Sequence, residues 1–261
     1  MLRPLIIGHR GASAVAPENT LVAFERALAD GADGIEFDVR LARDRVPVVI
    51  HDASLRRTAL REGSVSLMSS AELGETDAGT WFNLRHPKAA RLEYAQARVP
   101  KLCEVMELCG SGQARLYVEM KCDAGESGTL AAEVAKLVCQ HSLLDRVVVE
   151  SFALDSIAEI KRIDARIRTA ALFEPGLSRP RPSWRKLIER AVACAADEIA
   201  LHRSLVTRRA VEEAQRRGME VVVWTVDSPI WIERAIAYGI SAVITNDPAR
   251  LRARLDEVLA A

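Results

Sequence analysis

The feature that most constrains this chain is a repeated alternation. Short apolar runs recur along it at 5–7, 35–39, 116–121, 147–152, 169–173, 198–201, 221–226 and 242–245. Each is followed by apolar residues at helical spacing. The first helix opens at Pro17-Glu18-Asn19-Thr20 and carries Leu21, Phe24, Ala27 and Leu28 before Gly31; the others fall near 101–109, 127–141, 155–163, 184–195, 207–217, 229–238 and 248–259. A helix between two strands carries the chain back across the sheet, so the next strand starts in the same direction and the sheet is parallel. Eight such units in 261 residues predict an α/β fold closed into a (β/α)8 TIM barrel, a single domain over 1–261. The Gly-x-Gly-x-x-Gly fingerprint of an open dinucleotide-binding sheet is absent.

One apolar run breaks the pattern. Residues 46–50 follow the second strand after only Arg43-Asp44-Arg45, too short a link for a crossover helix. An antiparallel hairpin is therefore expected, with His51 returning opposite Glu36. Residues 53–99 then lack a clear period and read as a small irregular insertion after strand two.

Lys+Arg and Asp+Glu both total 36, so no net field draws the chain to nucleic acid or to an anionic membrane. Arginine outnumbers lysine 30 to 6, which makes a lysine on a core strand more notable. The five cysteines are scattered without a Cys-x-x-Cys pair, as in reduced, mostly buried thiols. No window approaches a membrane span, and the first residues lack a signal-like apolar run; stable membrane insertion is not expected, and a cytoplasmic location is.

Barrels of this kind build their sites at the C-terminal ends of the strands. His9 and Arg10 fall there on strand one, Glu36 and Asp38 on strand two, Glu119 and Lys121 on strand three, and Trp224 on strand seven. Each residue has a structural alternative. The carboxylates could be neutralised by Arg10 and Lys121 without a metal, His9 could be a core histidine, and Trp224 could be core packing. Their coincidence on neighbouring strand ends favours a site. Three carboxylates suit a hard divalent cation, Mg²⁺ or Ca²⁺, better than zinc. Such an ion with Arg10 and Lys121 leaves one net positive charge, which a phosphodiester monoanion would neutralise.

The segments HRG, PENT, IEFDV, VVIHD, DAGTWF, YVEMK and VVWTV together resemble, in order and spacing, the glycerophosphodiester phosphodiesterase family across essentially the whole chain. The resemblance implies a TIM barrel that hydrolyses small-molecule glycerophosphodiesters to glycerol 3-phosphate and an alcohol with a divalent cation. It implies Glu36, Asp38 and Glu119 as metal ligands, His9 and His51 as the catalytic pair, Arg10 and Lys121 on the phosphate, and Trp224 against the glycerol. The last strand departs from the pattern, reading VITNDP where a basic residue is common. His9, beside Arg10, is expected to be the general base, and His51, returning at the rim, the general acid. A lysophospholipase D-type reaction is the enzymatic alternative. A Schiff-base aldolase using Lys121 and a non-catalytic scaffold are the more distant ones.

Overall fold

Nine strands form one sheet in the computed structural model of the chain, which describes residues 3–123, 125–176 and 183–260. They are β1 (Leu5–His9), β2 (Gly34–Leu41), β3 (Pro47–Val49), β4 (Arg115–Met120), β5 (Val147–Ser151), β6 (Arg168–Phe173), β7 (Glu198–His202), β8 (Glu220–Trp224) and β9 (Ala242–Thr245). Eight are parallel and run β1-β9-β8-β7-β6-β5-β4-β2, and β1 pairs with β2 to close the ring. The fold is the TIM barrel. Helices follow each parallel strand, from Leu21–Ala29 after β1 to Pro248–Ala260 after β9.

Alternation along each strand separates two layers. Outward residues such as Ile35, Phe37, Val39, Val118 and Met120 pack with helix residues Phe24, Leu102, Leu130 and Val134. Inward residues Ile7, Tyr117, Val148, Ala170, Leu172, Ala200, Val222, Ala242 and Ile244 fill the barrel. The same inward parity continues up the strands to His9, Glu119, Glu150 and Trp224. An apolar plug thus supports a polar upper rim.

The hairpin exists, but its register differs by one residue from the sequence expectation. Val39 pairs with Val49 and Leu41 with Pro47, and Ile50 N–H donates to Asp38 O at 2.9 Å. His51 therefore comes one step beyond Asp38's partner, not opposite Glu36. The cause is the turn: Ala42 N–H bonds Val46 O, and Arg45 takes a left-handed φ of 61°. The same hairpin extends β2 past the barrel, so Glu36 and Asp38 lie within the strand rather than at its end.

Residues 53–99 are not irregular throughout. They hold the short helices Arg56–Ala59, Ser70–Gly74 and Thr80–Arg85 and the 3₁₀ turns Val65–Leu67 and Leu92–Gln96. None is long enough to display a helical period in sequence. Leu55, Val65, Leu73 and Ala78 share a cluster with Val48 and Ile50. At Gly79 a Cβ would sit 1.7 Å from Tyr94 O, so only glycine fits that approach. The cysteines are all free, but only Cys109 and Cys194 are buried; Cys103 and Cys122 are half-buried and Cys139 is exposed. Among the described residues no helix is long and apolar enough to cross a membrane.

Candidate active site

The site begins where β1 stops. Arg10 has φ 53° and Gly11 φ 82°, which turns the chain out of the strand. A Cβ at Gly11 would meet Ala23 O at 2.5 Å. Left-handed backbone costs a non-glycine residue roughly 1–2 kcal/mol; at Arg10 the N–H donates to Glu36 Oε2 at 3.0 Å, which offsets part of that cost. With β1 ended, the adjacent edge of β2 is vacated. Val39 O serves β4 through Lys121 N–H, and Asp38 O, pointing to the other edge, serves Ile50. So β3 takes up the edge that β1 leaves, and His51 is delivered to the cavity that His9 borders.

That cavity has a volume of about 280 Å³ and is lined by His9, Arg10, Glu36, His51, Glu119, Lys121 and Trp224, with Glu150, Phe152, Leu172, Glu174 and Ile244. Asp38 is fully buried just beneath. One oxygen from each of Glu36, Asp38 and Glu119 lies within 4.8 Å of the other two. All eight residues singled out in the sequence are therefore gathered at one place.

Both histidines are anchored through Nδ1. His9 Nδ1 is 2.7 Å from Asn246 Oδ1. His51 Nδ1 is 2.6 Å from Asp52 Oδ1. His9 Nε2 is 3.8 Å from Glu36 Oε2. Burial, reinforced by the Arg10 charge, lowers the His9 pKa to about 4, so the ring is neutral at neutral pH. Burial also lowers that of His51, with Asp38 and Asp52 pulling the other way.

The carboxyl groups outnumber their cations. Burial, then Asp38, pushes Glu119 up to about 8. Burial, with Asp38 and Glu119, raises Glu36 well above the usual range. Burial opposes ionisation of Asp38 too, but Arg10, Lys121, His51 and a 2.8 Å bond from Asn19 Nδ2 hold it far below that range. Lys121 Nζ sits 2.6 Å from Glu119 Oε1 and 3.2 Å from Asp38 Oδ1. Apart from that ammonium, neither oxygen has a hydrogen-bond donor. Buried carboxylate oxygens that share a single ammonium, in an all-oxygen cluster short of positive charge, are what a hard divalent cation satisfies. The donor set fits such an ion.

The model of the glycerophosphoryl diester phosphodiesterase family matches residues 9–250. The chain belongs to that family. It is 32% identical over 252 residues to a glycerophosphodiester phosphodiesterase of Caldanaerobacter subterraneus, covering 96% of this chain and 97% of the other. It is 30% identical to one from Bacillus subtilis, covering 94% and 84%. Its fold superposes with a TM-score of 0.85 on an Oleispira antarctica phosphodiesterase solved in complex with the product sn-glycerol-3-phosphate, at 27% identity and 97% coverage of both chains. By family the protein is a phosphoric diester hydrolase, and the lysophospholipid alternative is not favoured. The aldolase alternative also meets a physical objection. Burial works against the Lys121 charge, but Asp38 and Glu119 outweigh it and raise its pKa, which keeps the amine protonated.

Family membership leaves the other residues of the cavity to be explained. Asn246 was visible in sequence only as the departure VITNDP. Its Nδ2 donates to Asp227 Oδ2 at 2.9 Å. Glu150, buried with Oε2 unpartnered, ends the inward row of β5 in VVVESF, and that parity was the signal for it. Burial, then Glu36 and Glu119, raises its pKa well above the usual range. Trp224 closes β8, donating Nε1–H to Ala200 O at 3.2 Å and meeting Phe152 edge-on at 5.5 Å between ring centres. With Leu172 and Ile244 these rings make the cavity's apolar wall.

Proposed function

We propose that the protein hydrolyses glycerophosphodiesters to glycerol 3-phosphate and an alcohol, with His9 and His51 exchanging the protons. The observation that carries this reading is the pair of imidazoles, each tied down at Nδ1, bordering one cavity with three clustered carboxylates. Glu36, Asp38 and Glu119 would hold a divalent cation, Mg²⁺ or Ca²⁺, whose charge when bound stabilises negative charge on the phosphoryl oxygens. Arg10 and Lys121 bind the phosphate as fixed positive charges. The glycerol carbons pack on Trp224.

His9 Nε2 takes the proton of the attacking hydroxyl, from water or from the neighbouring glycerol hydroxyl, as its oxygen bonds to phosphorus. The phosphorus–alcohol bond breaks, and the departing oxygen takes a proton from His51 Nε2. With water as the nucleophile this gives glycerol 3-phosphate directly; with the glycerol hydroxyl it gives a cyclic phosphate, which a water then opens, its proton passing to His51 while His9 returns its own to the glycerol oxygen that is released. A lowered pKa makes the His51 imidazolium a stronger acid, and the phosphate anion beside it favours its charged form.

Leaving-group chemistry tests this division. An alkoxide needs a proton as it departs, whereas nitrophenolate is stable without one. His51→Ala is expected to lose roughly 10²- to 10⁴-fold on an alkyl glycerophosphodiester and far less on a nitrophenyl phosphodiester. His9→Ala is expected to lose comparable activity on both. Rescue of His9→Ala by the aryl substrate, with His51→Ala still inactive, would reverse the assignment.

A further inference from the structure

The cavity's rim contains a charge chain that the proposed chemistry does not use. Asp52 accepts from His51 and is itself held by Arg57, whose Nε is 2.7 Å from Asp52 Oδ2 and Nη2 3.2 Å from Oδ1. The other side of the same guanidinium meets Glu18, with Nη1 to Oε2 at 2.7 Å and Nη2 to Oε1 at 2.8 Å. Glu18 Oε1 also accepts from Arg10 Nη1 at 2.8 Å. Two guanidinium groups and two carboxylates thus run unbroken from His51 to Arg10.

Arg57 stands apart from its neighbour on the short helix Arg56–Ala59. Arg56 pairs with Glu62 on the surface, with side chains 72% and 79% exposed, where an ion pair contributes little. The Arg57 and Glu18 side chains are 32% and 12% exposed. Arg57 also uses both edges of its planar fork at once, which a lysine ammonium cannot reproduce.

We propose that Arg57 is a positioning residue for His51: by clamping Asp52 against Glu18, it fixes the imidazole relative to the phosphate-binding Arg10. This rests on His51 as the general acid. Without the clamp, the Asp52 carboxylate is free to turn toward solvent and take the imidazole with it. Proton delivery to the departing oxygen suffers, while phosphate binding and the attack assisted by His9 do not.

The test uses the same two substrates with Arg57→Ala, Arg57→Lys and Asp52→Asn, beside His51→Ala. All three variants are expected to lose roughly 10- to 100-fold in kcat/KM on the alkyl substrate and to stay near wild type on the nitrophenyl substrate. The loss should fall on kcat, with KM little changed. Arg57→Lys should not rescue, because charge without the fork is insufficient. If Arg57→Ala fails to fold, Asp52→Asn and Arg57→Lys carry the comparison. Equal losses on both substrates, or none on either, in folded variants would overturn the positioning role while a leaving-group split in His51→Ala persists. If His51→Ala itself shows no split, the acid assignment falls and the positioning role with it.

Discussion

Asn246 Oδ1 accepts the Nδ1 proton of His9 at 2.7 Å, and Asp227 dictates that orientation. A carboxylate can only accept, so the amide nitrogen of Asn246 must face Asp227 and the amide oxygen must face His9. Ser13 Oγ donates to the same oxygen at 2.9 Å. His9 therefore carries its proton on Nδ1, and Nε2 keeps its lone pair, as a general base requires. Asn246→Ala should lower kcat by roughly 10- to 100-fold with a small effect on KM. Asn246→Asp should move the acidic limb of the kcat/KM profile to higher pH, because a carboxylate stabilises the imidazolium. An unchanged profile in a folded Asn246→Asp protein would remove the tautomer role.

Lys121 lies between Asp38 and Glu119, with Nζ 5.6 Å from the Phe152 ring centre. If it also meets the phosphate, its charge acts in the ground state and in the transition state. Lys121→Ala should then raise KM and lower kcat together, with a loss of roughly 10²- to 10³-fold in efficiency. Unchanged efficiency in steady-state kinetics would assign Lys121 to a structural ion pair alone.

The Asp52 clamp also predicts a pH dependence of stability. Burial opposes ionisation of Asp52, but the Arg57 and His51 bonds prevail and hold its pKa down to about 2, against an ordinary 3.8. A carboxyl depressed on folding stabilises the native state above its unfolded pKa, and that stabilisation is lost as pH falls through the folded value. Asp52→Asn should therefore be less stable than wild type in urea unfolding at pH 6, with the gap closing between pH 4 and 2. A gap that stays constant over that window would contradict the coupling.

Much of this site was legible because two simple periodicities coincide. Strand–helix alternation predicts the barrel, and period two within a strand puts Glu36 with Asp38, and Glu119 with Lys121, on one face. The hairpin register was not legible, because one residue in the left-handed region at Arg45 shifts every pairing and leaves no mark in hydrophobic pattern. Residues 53–99 hid their helices because the longest, Thr80–Arg85, spans under two turns. Arg57 was visible only as one arginine among many, since its partner Glu18 lies 39 residues away in sequence. Asn246 pairs with His9 across 237 residues, where barrel closure alone brings them together.

The most direct test of the central claim is to follow products from glycerophosphodiesters with the metal-stripped protein, before and after adding Mg²⁺ or Ca²⁺. The account predicts no turnover in chelator, restored release of glycerol 3-phosphate with the free alcohol when the cation returns, and no restoration in Glu119→Ala. Release of glycerol 3-phosphate at the wild-type rate by chelated Glu119→Ala, or products of glycerol and a phosphorylated alcohol, would contradict it.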